Sequence, residues 1–189
     1  MTFEDRQEMW QALDFPLHSG SYPDTLNYVA ALRSRYSNGE VLFHSFTIPS
    51  HPVFDRYLER NQLHECNFFE RFWSAPTPAV HIPYQPASLN YFEKSLFESE
   101  SPFLLGGGLS QLLFHGGAYS RSAGYGSEAR RLGEAVAAEL LAGDYEETIV
   151  ARCQSAWSDF FMDVAWDFTA VVVSKPRRLI HTILATDTD

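Results

Sequence analysis

The sequence predicts an α+β fold, a single domain over residues 1–189 with a mostly antiparallel sheet that includes a C-terminal β-hairpin and packs against several helices. Three observations predict it. Helical and alternating apolar periods occur in mixed order, without a regular strand–helix–strand alternation. The longest apolar runs fall in residues 157–189, and Lys175-Pro176-Arg177-Arg178 separates two of them as a turn. The chain has 189 residues, 45% of them hydrophobic and 15% aromatic, which suits one domain of the usual ~100–200 residues with a substantial core.

Taken in order, Thr2 with Glu4 and Asp5 opens a helix whose apolar side holds Phe3, Met9, Trp10 and Leu13, and Pro16 ends it. After a loop over 16–23, Asp24 caps a second helix carrying Leu26, Val29, Ala30 and Leu32, closed by Asn38-Gly39. Residues 41–48 are short and rich in β-branched and aromatic side chains, hence a strand. Ser50 and Pro52 start a helix through 61, and a further helix covers 65–73. Four prolines in 75–86 predict an extended edge or rigid loop, the site of a possible subdomain seam. Ser88 caps a helix through 97. In 102–119 the glycines are expected at turns or bulges beside two apolar runs, since Gly106-Gly107-Gly108 matches neither a phosphate loop nor a dinucleotide fingerprint. Residues 127–142, with Ser127 at the N-cap and Gly143 past the end, form the clearest helix. Residues 144–156 fit helix or strand. In 160–173 every even position is apolar, a half-buried strand by its period of two, although the first part also fits a helix. Leu179–Thr186 is apolar on both faces and reads as an interior strand.

Charge narrows the partners. With 24 acidic and 14 basic residues the net charge is −10, which opposes binding to phosphate backbones and anionic lipid and suits a basic protein partner. Cys66 and Cys153 lack metal-ligand spacing and are expected as buried free thiols. No secretory leader and no run of ~18 apolar residues is present, so a cytoplasmic location is expected. The seven histidines show neither H-x-H nor H-E-x-x-H spacing and are expected to be structural.

One constellation stands out. Asp159, Asp163 and Asp167 recur every four residues, and an antiparallel return of the chain brings Asp187 and Asp189 back toward their level if the register allows. Two readings follow. In the first, this is a small acidic cytosolic protein without a cofactor that binds through its surface, an immunity-type inhibitor of a basic or nucleic-acid-directed toxin, with Trp157, Asp159, Asp163 and Asp167 contacting the partner. In the alternative, Asp163, Asp167, Asp187 and Asp189 gather Mg²⁺ or Mn²⁺, hard cations that prefer carboxylate oxygens, and the chain is a metal-dependent hydrolase.

Overall fold

A computed structural model describes residues 3–81, 96–119 and 124–188. Among them lies one antiparallel sheet of order β1-β5-β4-β3-β2, formed by β1 (Glu40–Thr47), β2 (Glu98–Glu100), β3 (Thr148–Cys153), β4 (Phe168–Ser174) and β5 (Leu179–Thr186). Helices α1 (Phe3–Ala12), α3 (Pro52–Glu59) and α4 (Phe68–Arg71) cover one face; α2 (Pro23–Arg33), α6 (Leu105–His115) and α7 (Gly126–Leu141) cover the other. The predicted α+β class, with its antiparallel sheet and C-terminal hairpin, is the architecture observed.

The hairpin explains the layering. Every residue of β4 and β5 is buried. Alternation then sends Val171, Val173, Ile180 and Leu184 into the core under α1, α3 and α4, and Ala170, Val172, Ile183 and Ala185 into the core under α2, α6 and α7. At about 1.5–3 kcal/mol for each large apolar side chain removed from water, this strand pair anchors both cores. Residues 175–178 join the strands, with Ser174 opposite Leu179 and Arg178 at φ 51°. The Arg178 guanidinium braces the turn against the Ile48 carbonyl at 3.1 Å, the Pro49 carbonyl at 2.6 Å and Asp55 at 2.8 Å.

Several local expectations are corrected, each for a physical reason. Gly106, Gly107 and Gly108 lie inside α6 rather than at turns. Gly106 and Gly133 allow α6 and α7 to touch, because a methyl on Gly133 would collide with Ser110, and Ser110 Oγ instead donates to the Gly106 carbonyl at 2.6 Å. Part of the proline-rich stretch is helical: α5 (Pro76–His81) carries its prolines in the first turn, where a missing N–H is no loss, and Asp14 accepts from Thr77 N–H and Oγ1 at 2.8 and 2.7 Å. The helix expected over 65–73 breaks at Asn67, φ 55°, into 3-10 turns flanking the single turn α4. Helix α2 is capped across space, with Glu139 of α7 accepting the Asp24 and Thr25 N–H groups at 3.1 and 2.8 Å, and Leu26 points outward. At α3 the capping side chain is His51, and at α7 the helix begins one residue before Ser127. Residues 144–156 contribute strand β3. The helix expected over 88–97 lies mostly outside the described residues, as do all of residues 82–86.

Candidate loop surface between β3 and β4

The expected strand over 160–173 forms only from Phe168 onward, and residues before it belong to a loop leaving β3. Its side chains divide sharply between inside and outside. Trp157, Phe160 and Phe161 fold under the loop: Trp157 is 1% exposed, stacks on Trp73 at 4.6 Å and donates Nε1–H to Thr169 Oγ1 at 2.8 Å. Outside, Asp159 and Asp163 are exposed, and Met162 is 56% exposed.

A buried carboxylate holds this arrangement. Asp167, 2% exposed, accepts from Val164 N–H at 3.0 Å, from Met162 N–H at a longer 3.4 Å and from Thr186 Oγ1 at 2.6 Å. The first two bonds close the backbone into a tight turn, and the third ties it to β5. Asp163 at the tip has φ 57°, a conformation that aspartate tolerates better than most residues. The tip is thus fixed from beneath. Beside it runs a groove of ≈ 280 Å³ whose lining includes Glu40, Asp159, Met162 and Thr188.

Asp187 has a different task. Its side chain is fully buried; Oδ1 accepts the Ser37 and Asn38 N–H groups at 3.0 and 2.9 Å, and Oδ2 accepts the Ala118 N–H at 3.0 Å. It therefore clasps the α2–β1 connection and the residues after α6 to the end of β5. Gly117 makes room for it, since a methyl there would occupy the position of Oδ2. Burial, and then the Asp187 and Asp167 carboxylates, push the phenol of neighbouring Tyr36 upward.

These placements decide the metal constellation. Phe168 pairs with Ala185, so Asp167 lies level with Thr186 and its side chain takes the face of Val171, whereas Asp187 takes the face of Ile183. The two buried aspartates point to opposite sides of the sheet with oxygens already occupied by N–H and O–H donors, while Asp163 faces solvent. Among the described residues no three side chains of His, Cys, Asp or Glu form a metal-binding group. Asp189 lies outside the described residues. Of the residues predicted to touch a partner, Asp159 and Asp163 reach the surface; Trp157 and Asp167 support it from below. Met162 and Glu40 join the surface although sequence reasoning placed Met162 inward by alternation and took Asn38-Gly39 only as a turn.

Other polar groups are interior. Tyr22 Oη, Ser45 Oγ and His181 Nδ1 form a buried chain with 3.0 Å steps. Burial, then Arg177 and His18, drive His181 down to about 3, so it stays neutral, and neither it nor Ser45 meets solvent. Cys66 and Cys153 are buried thiols, and burial pushes Cys66 up to about 12. No described helix is long and apolar enough to cross a membrane. In comparisons with protein-family models, curated proteins and solved structures, the chain matches none.

Proposed function

We propose that this chain is a small acidic binding protein that docks a basic protein partner through the loop bearing Asp159, Met162 and Asp163, in the manner of an immunity-type inhibitor covering a nucleic-acid-directed toxin. The observation that carries the reading is the Asp167 clasp. It holds an exposed apolar side chain between carboxylates on a backbone that is already ordered, so docking costs little additional conformational entropy. An apolar anchor ringed by charge is the arrangement expected of an interface centre, and the net charge of −10 accelerates encounter with a cationic surface. Trp157 acts here as a prop for the loop.

The test places a photo-crosslinking side chain at position 162 in cells of the source and identifies the adduct. Support is a stoichiometric, basic protein whose affinity for the purified chain falls with added salt and falls about tenfold or more in the Asp159→Lys/Asp163→Lys double variant at unchanged melting temperature. An acidic adduct, or a charge reversal without effect, removes the reading.

A further inference from the structure

The surface of α1 and α3 departs from the rest of the molecule. Three depressions there lie side by side, each sharing lining residues with the next. The first, ≈ 480 Å³, is lined by Arg6, Arg56, Tyr57, Arg60 and Glu65 among others. A small one of ≈ 70 Å³ shares Arg6 and adds Trp10 and Arg71. A third, ≈ 360 Å³, shares Trp10 and Arg71 and continues to Pro76. The result is one channel whose lining carries four guanidiniums against a single carboxylate, on a chain of net charge −10.

Among the described residues, the ion pairs Arg131–Glu128, Arg152–Glu100, Lys175–Glu147 and Arg178–Asp55 draw on none of the channel's arginines. Arg6 donates to the carbonyl of Glu65 at 3.2 Å and lines both the ≈ 480 Å³ and the ≈ 70 Å³ depressions. The Glu65 carboxylate is engaged by Gln62 Nε2 at 2.7 Å. Trp10 has its Nε1–H on the Cys66 carbonyl at 3.0 Å, so it offers only its ring to the channel. Folding keeps like charges together only at a cost that an anion relieves. A fork-shaped guanidinium matches the oxygens of phosphate two at a time.

We propose that this channel binds a compact ligand carrying a chain of phosphate groups. Compactness follows from the electrostatics: beyond a Debye length of about 8–10 Å the acidic remainder of the surface repels an extended polyanion, whereas a short phosphate chain keeps its charge among the arginines. A free polyphosphate and a nucleoside polyphosphate share this chemistry, and the half-buried Trp10 is the ring that a base would meet. The site is separate from the Met162 loop and does not depend on the function proposed for it.

The full chain is titrated calorimetrically with inorganic tripolyphosphate and, separately, with a nucleoside triphosphate, at matched ionic strength and without divalent cation. Saturable binding of tripolyphosphate with one site per chain is expected. Arg56→Gln and Arg60→Gln, both at exposed positions on or beside α3 where folding is not at stake, each weaken it about fivefold or more, and Arg6→Gln weakens it further. Arg131→Gln, on α7 across the sheet from the channel and paired with Glu128, leaves it unchanged. A nucleoside triphosphate binding more tightly than tripolyphosphate assigns the ligand to the nucleotide class; equal binding assigns it to the phosphate chain alone. Absence of saturation up to about 5 mM, an Arg131→Gln loss equal to that of Arg60→Gln, or equal affinity for a hexaglutamate peptide overturns the proposal.

Discussion

Replacing Asp187 tests whether a buried carboxylate holds three chain segments together. Its oxygens accept N–H groups of Ser37, Asn38 and Ala118 at 3.0, 2.9 and 3.0 Å, and the side chain is fully buried. A hydrogen bond to a charged group is worth about 1.5–3 kcal/mol, and part of the sum offsets the desolvation of the carboxylate itself. Removal in Asp187→Ala strands the three donors and is expected to destabilise by about 3–5 kcal/mol. In a chain of this size that lowers the melting temperature by on the order of 10 °C. Asp187→Asn separates charge from shape: its oxygen still serves Ser37 and Asn38, but its NH₂ group meets the Ala118 N–H, donor against donor. It should lose at least about half as much. Chemical denaturation with fluorescence detection measures both, and amide hydrogen exchange should show the Ala118 amide deprotected in the Asn variant. Gly117→Ala supplies the cross-check, because its added methyl collides with Oδ2 in the parent but in the Asp187→Ala background meets mainly the Arg35 carbonyl at 3.1 Å. A coupling of about 2 kcal/mol or more between the two positions is expected. Strict additivity, or an Asn variant within about 1 kcal/mol of the parent, refutes the clasp.

Other consequences are open to measurement. His181 is driven to about 3 in the folded chain against ~6.5 unfolded, so between these values the unfolded state binds more protons and stability falls as the medium is acidified, by up to about 1.4 kcal/mol per pH unit. His44, lowered by burial and by His81, adds to the same trend, and His181→Asn should flatten the melting temperature between pH 6.5 and 4 relative to the parent. Asp167→Ala should raise amide exchange at Met162 and Val164 while the β4–β5 amides stay protected; unchanged exchange at those two amides counts against a pinned loop. Gly133→Ala forces α6 from α7 and should cost about 1–3 kcal/mol by thermal melting. Titration with Mg²⁺ or Mn²⁺ should leave the melting temperature unmoved, since Asp167 and Asp187 face opposite sides of the sheet.

Where a segment's periodicity reflected its own environment, the sequence was readable. Leu179–Thr186 is apolar at nearly every position because both faces of β5 are covered, and its turn at 175–178 carries a proline between two such runs. Alternation misled over 160–167, where Phe160 and Asp167 turn inward on a loop and Met162 outward, so a period of two arose without a strand. Glycines in α6 and prolines in α5 were misread because what permits them lies elsewhere in the chain: Ser110 packing on Gly133, and Asp14 accepting from Thr77. The separation of Asp167 from Asp187 depended on register, which one residue of slip would have reversed. Of the site, the exposed aspartates were legible in the spacing of four; the apolar anchor and the buried support were not.

The position of β5 also bears on how the chain is made. It lies between β1 and β4, yet follows every other strand in the sequence. As the polypeptide emerges at about 5–20 residues per second, β1 waits on the order of ten seconds for β5, its strand-length partner among the described residues. Through that interval β1 lacks this partner, and β4 lacks it too for the few residues before β5 emerges, leaving edges of the kind on which chains pair with their neighbours. Synthesis therefore passes through a window of self-association that closes when the last strand slides in, and a chaperone that shields extended apolar segments should raise the soluble yield more than any lengthening of the helices.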